Sequence, residues 1–273
     1  MYDGASLSDG LQRAAGELRV SAKRRGEASV LDGLRQAGCL KARFPRGLNV
    51  GWLDTTLVNI SGGVAGGDRL ETSVAVGEGA RMTVAAQAAE RFYRALPGSV
   101  SRVRTSVSVA PGGALEWLPQ ETILFDRCAL DRRLTVDVAD DGRFLGCETL
   151  VFGRAAMGER VATADLRDLI QVRRAGALLL HDAIRLDGPV DSVLRGPATA
   201  KGAVAVATIV YVASDAEARL DEVRAATDIA ASAWGGMLVA RVLAAGSAAA
   251  RQTIMAALAV LRSGRPLPRV WLC

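Results

Sequence analysis

One pattern recurs four times in this chain and restricts the folds open to it. An alternating apolar and polar segment runs into a short glycine-bearing turn, and an apolar-rich segment leaves it. The copies are Leu70–Val76 with Arg81–Ala86, Val103–Val109 with Leu115–Leu118, Leu134–Val138 with Phe144–Phe152, and Leu169–Arg173 with Leu178–Leu186. The glycine before each outgoing segment falls at 79, 113, 142 and 176, spacings of 34, 29 and 34 residues, the size of a supersecondary repeat. Alternation interrupted by glycine predicts β-hairpins, and hairpins that each bury one face stack into layered sheets. Glu17–Ala22 and Ala28–Leu31, around Arg25-Gly26, fit the same pattern. The expected fold is mainly β: a solenoid-like stack of antiparallel hairpin units over about residues 15–200.

The remainder, about 201–273, reads as mixed α and β. Ala203–Val212 is a small and branched apolar run that predicts a buried strand. Ser214 and Glu217 have capping-box spacing and predict a helix to about Ala226. Met237–Ala244 predicts a strand. Ser247 is placed to cap a second helix, to about Arg262, with Ile254, Ala257, Leu258 and Leu261 at helical spacing and Gly264 and Pro266 behind it. No linker rich in Pro, Ser or Gly divides the chain, so residues 1–273 are expected to form one domain.

Hydrophobic residues make up 50% of the 273, enough for a well-buried core. The net charge of +5 comes from dispersed arginines, with no basic run interleaved with aromatics, which argues against a nucleic-acid partner and is compatible with acidic protein partners. Cys39, Cys128, Cys147 and Cys273 contain no CxxC pair. Met1–Gly10 is polar and lacks the apolar core of a signal peptide, and no apolar run is long enough for a membrane span. A reduced, cytoplasmic protein is expected.

Catalytic signals are sparse. His181 is the single histidine, so any Ser-His-Asp or Cys-His arrangement would have to use it, and no Gly-x-Ser-x-Gly elbow is present. The loop Gly62, Gly63, Gly66, Gly67, Asp68 has neither P-loop nor GxGxxG register. Paired glycines suit a tight corner or bare backbone on which a partner docks. One histidine and scattered cysteines do not support a closed nickel or zinc cage. Glu116, Glu148 and Asp182, however, sit among apolar strand residues. A carboxylate there is costly unless paired or hydrated, so each faces outward, joins an ion pair for which Arg154 and Arg185 are available, or lines a shared water-filled interior. The apolar end around Trp271 must be tucked into the fold or into a partner.

Five ordered segments resemble one family. They are Leu57–Leu70 with its Gly-Gly-x-x-Gly-Gly-Asp, Gln87–Arg94, Leu115–Phe125 with Leu-Glu-Trp-Leu-Pro-Gln, Gly153–Glu159 with Gly-Arg-x-x-Met-Gly-Glu, and Leu267–Trp271. From about residue 15 to the end the chain is similar to the urease accessory protein family UreD, also called UreH. It departs from the family at Ile60-Ser61 before the first glycine pair and at Glu90-Arg91. The resemblance implies stacked sheets with two helices near the carboxyl end and no catalysis. It implies a metallochaperone scaffold that binds a UreF-like protein, through it a UreG-like GTPase, and the urease apoprotein. It implies no tightly bound cofactor but nickel in transit through a wet tunnel. By position Glu148 and Asp182 match residues of that route, with Glu116 added from its chemistry. Trp117, Gln120, Arg154, Glu159 and Trp271 carry the family motifs. Two other readings are a β-repeat binding module without a metal role and a hydrolase using His181.

Overall fold

The computed structural model describes residues 12–46, 49–154 and 157–272. Met1–Gly10, Ala155-Ala156 of the Gly-Arg-x-x-Met-Gly-Glu segment, and Cys273 lie outside the described residues.

In chain order the strands are β1 (Ala15–Arg25), β2 (Ala28–Gly38), β3 (Leu40–Arg43), β4 (Leu53–Asn59), β5 (Arg69–Val76), β6 (Arg81–Ala86), β7 (Glu90–Phe92), β8 (Ser101–Val109), β9 (Ala114–Leu118), β10 (Thr122–Leu124), β11 (Ala129–Val138), β12 (Arg143–Phe152), β13 (Thr163–Arg174) and β14 (Ala177–Pro189). The short helix α1 (Val190–Leu194) follows, then β15 (Ala205–Val212), α2 (Leu220–Ala226), β16 (Ala230–Trp234), β17 (Met237–Ala244) and α3 (Ser247–Leu261). One sheet runs β14-β13-β11-β8-β5-β1-β2, and a second runs β16-β17-β15-β12-β9-β6-β4-β3, with β10 pairing β12 and β7 pairing β10. The fold is mainly β and solenoid-like, with α2 and α3 in the carboxyl-terminal part, as expected.

The hairpin expectation needs correction at three of the four repeats. β5 and β6, β8 and β9, and β11 and β12 are consecutive, yet each pair is split between the two sheets. The glycine turns are arches. Each incoming strand pairs in parallel with its counterpart one coil away, β5 with β8 and β8 with β11, and the outgoing strands β6, β9 and β12 do the same. Burial explains the choice. The incoming strands alternate because one face meets solvent, as in β5 and β11. The outgoing strands are buried almost continuously, as in β9 and β12, because they are covered on both faces. An arch turns the two apolar faces toward each other, so neither needs a further layer. Only the fourth repeat, β13 with β14, is an antiparallel hairpin, and β1 with β2 is another.

The interior between the sheets holds two apolar clusters. One, near the arches, includes Val74, Val107, Val136, Met82, Leu115 and Phe144. The other, near the opposite ends of the strands, includes Leu18, Leu70, Leu130, Leu150, Phe152 and Leu166. A third cluster lies on the outer face of the second sheet, where α3 packs Ile254, Ala257, Leu258 and Leu261 over Leu118, Leu145 and Cys147.

The carboxyl-terminal elements differ in detail from expectation. The Ser214–Glu217 capping box does not form: α2 begins at Leu220, with Arg219 at its N-cap and no side-chain cap. Glu217 instead accepts the Gly236 N–H at 2.8 Å in the β16–β17 turn, a tertiary contact that outcompetes the local one. Gly246, not Ser247, is the N-cap of α3.

Candidate functional site

Strict alternation on β11 puts Arg132 in phase with Leu130, Leu134 and Val136, all buried. The same rule on β13 aligns Asp168 with Leu166, Ile170 and Val172. Both charges therefore point between the sheets. Opposite them, β12 turns Glu148 inward in phase with Phe144 and Leu150, and its register partner Thr208 on β15 is followed by Arg241 on β17. Asp182 on β14 joins this row: Arg241 Nη2 donates to its Oδ1 at 2.8 Å and Thr208 Oγ1 to its Oδ2 at 3.3 Å.

Arg132 occupies the centre. Its Nε and Nη2 donate to Asp168 Oδ1 and Oδ2 at 2.8 and 2.7 Å, a bidentate pair. Its Nη1 donates to Glu148 Oε2 at 2.6 Å and to Thr122 Oγ1 at 2.9 Å. Trp117 Nε1 completes Glu148 by donating to Oε1 at 2.7 Å. Burial pushes the Glu148 carboxyl above its ordinary range, opposed by Arg132 and reinforced by Asp168. Burial alone would lower the Arg132 pKa, but Asp168 and Glu148 outweigh it and fix the guanidinium in its charged form.

Space lies on both sides of this cluster. A cavity of about 330 Å³ reaches from Gly62, Gly63, Asn59 and Glu90 inward to Arg132 and Glu148. Beyond them a cavity of about 10 Å³, room for about one water, is lined by Glu148, Asp168, Asp182 and Thr208. The polar band thus follows the solenoid axis from the glycine loop toward the β14 and β17 edge, and Arg132 stands across its narrowest part. At the wide mouth Asn59 Nδ2 donates to Glu90 Oε2 at 3.1 Å, and burial raises the Glu90 pKa.

The glycine loop borders this mouth and is also a built corner. Asp68 is buried and accepts the N–H groups of Ala14 and Ala65, both at 2.8 Å. Gly67 has φ +94°, and a Cβ on Gly66 would lie 2.5 Å from the Ser99 carbonyl oxygen. Tyr93 OH donates to the Gly62 carbonyl at 2.6 Å, and its ring packs against Gly63.

Glu148 and Asp182 therefore share one cavity, and Glu116 does not. Glu116 sits on the other face of the second sheet, between Arg262 and Arg265, with Arg262 Nε and Nη2 donating at 3.1 and 3.0 Å and Thr83 Oγ1 at 2.8 Å. Neither expected arginine pairs with these carboxylates: Arg154 pairs with Glu159 at 2.5 Å and covers the Phe125 ring, and Arg185 is exposed on β14. Trp271 is buried and donates to the Leu118 carbonyl at 3.0 Å, while Gln120 Nε2 donates to the Val270 carbonyl at 2.6 Å. The chain end is tucked into the fold. His181 is exposed, 3.0 Å from Gln171 Nε2, and its neighbour Asp182 points to the opposite face of the strand. The two adjacent residues cannot serve as a catalytic pair.

Arg132 and Asp168 escaped the sequence reading, although a charge in phase with the apolar side of an alternating strand marks each. No helix among the described residues is long and apolar enough to cross a membrane.

A sequence profile described as UreD urease accessory protein matches residues 14–272. The urease accessory protein UreD of Azorhizobium caulinodans is 44% identical over 265 residues, covering 95% of this chain and 97% of the relative. That of Ruegeria pomeroyi is 44% identical over 257 residues, covering 93% and 99%, and that of Xanthobacter autotrophicus is 43% identical over 265 residues, covering 95% and 90%. The chain belongs to the UreD family of urease accessory proteins.

Proposed function

We propose that this chain is a non-catalytic scaffold that passes nickel to the urease apoprotein in the cytoplasm, linking urease to a UreF-like protein and, through it, to a UreG-like GTPase. The observation that carries this reading is the inward row Glu148, Asp168 and Asp182 along the solenoid axis, with a cavity on either side of Arg132. Oxygen donors bind a divalent nickel ion more loosely than an imidazole and thiolate set. That suits a carrier which must release its cargo. Arg132 holds the place of the cation while the passage is empty. It neutralises Glu148 and Asp168, and its displacement by an arriving ion admits the cargo to the narrower cavity. Glu116 acts outside this route, as an anchor for the carboxyl-terminal segment.

The experiment is coproduction of urease and its other accessory proteins with and without this chain at limiting nickel. Without it, urease should be recovered largely nickel-free and inactive. With it, a UreF-like protein should copurify with the chain. Full activation of urease in its absence would refute the reading.

A further inference from the structure

A third cavity, of about 240 Å³, opens on the outer face of the second sheet beside the end of α3. Arg81, Arg143, Arg262 and Arg265 line it together with Glu116 and Tyr211. Arg81 and Arg143 flank Ala114 on neighbouring strands, about 10 Å apart at the backbone. The charges do not cancel. Glu116 is shared by Arg262 and Arg265, and Asp215, 3.6 Å from Arg143, also takes hydrogen bonds from Tyr211 and Arg219. Among the described residues Arg81 has no acidic partner within ion-pair distance, and Arg265 Nη1 is buried without a hydrogen-bond acceptor although its guanidinium stacks on Trp52 at 4.0 Å. A buried donor left unpaired is costly, and a ligand oxygen would relieve it. Four cations against Glu116 and the shared Asp215 leave an excess of two positive charges.

We propose that this cleft binds a phosphate dianion, held by Arg81, Arg143 and Arg265. Two negative charges match the excess, and guanidinium groups bind phosphate oxygens through paired charge-assisted hydrogen bonds. The site lies on the opposite face of the sheet from the Glu148 band and is independent of nickel passage.

Titration calorimetry of the full chain with inorganic phosphate tests the proposal, with phenyl phosphate as the second probe. Saturable binding of one equivalent is expected, and Arg81→Gln with Arg143→Gln should weaken it at least about tenfold, the effect of losing a hydrogen bond to a charged group. Arg133→Gln with Arg167→Gln, which removes the same charge from the exposed face of the other sheet, should leave it unchanged. Equal affinity for the two probes identifies free phosphate as the ligand, and tighter phenyl phosphate binding identifies an organic phosphate resting on Trp52 or Tyr211. Absence of saturable binding, or equal loss in the two double variants, would overturn the proposal.

Discussion

Arg132→Met is expected to lower folding stability by about 3–5 kcal/mol, the cost of breaking a buried ion pair from one side. The substitution keeps the apolar stem of the side chain and removes the charge that serves both Asp168 and Glu148. Four hydrogen bonds from the guanidinium disappear with it. Two carboxylates then face each other between the two cavities, and a divalent cation can take the vacated place. Nickel should therefore raise the thermal midpoint of the variant more than that of the native chain, because a ligand that binds the folded state stabilises it. Thermal unfolding of both proteins with and without nickel measures the two effects together. Equal shifts would show that Arg132 does not occupy the position a cation would take.

Arg262→Met is expected to have the second largest effect, also about 3–5 kcal/mol. Arg262 is 1% exposed, at the end of α3. Besides Glu116 it donates to the Arg265 and Pro266 carbonyls at 2.9 and 2.6 Å, so one side chain ties β9, α3 and the segment leading to Trp271. Its loss leaves Glu116 with Arg265, which is partly exposed and also stacks on Trp52. The carboxyl-terminal segment should loosen before the sheets do. Amide hydrogen exchange should rise first over residues 262–272, with β5, β8 and β11 still protected, and chemical unfolding should give the loss in stability. Uniform loss of protection would contradict the anchoring role.

These two arginines also mark the limits of the sequence. Alternation located the strands well, and β17 matches the expected Met237–Ala244 at both ends. The same alternation contained the interior charges, because Arg132 and Asp168 stand at positions that otherwise hold Leu, Ile and Val. Carboxylates stand out in a sequence as metal donors, whereas the arginine between them does not, and the site is legible only when both signs are read on one face. The arches were legible in a subtler way. Incoming segments alternate and outgoing ones do not, a difference of cover that a hairpin would not produce. Nothing local could reveal that Glu217 bonds the β16–β17 turn, or that Arg262 reaches a glutamate 146 positions earlier. Those contacts depend on how the carboxyl-terminal elements pack.

The most direct test of the nickel passage is the double variant Glu148→Gln with Asp182→Asn, coproduced with urease and its accessory partners. Both amides keep the shape of the native side chains and one acceptor oxygen each, which can still serve Arg132 at position 148 and Arg241 at position 182, while the Trp117 bond to the other Glu148 oxygen is given up. They remove the charge that a cation would follow. A conducting interior gives urease with a clearly reduced nickel content per active site while the accessory complex still assembles in native amount. Urease loaded with nickel to the native level by this variant would contradict it.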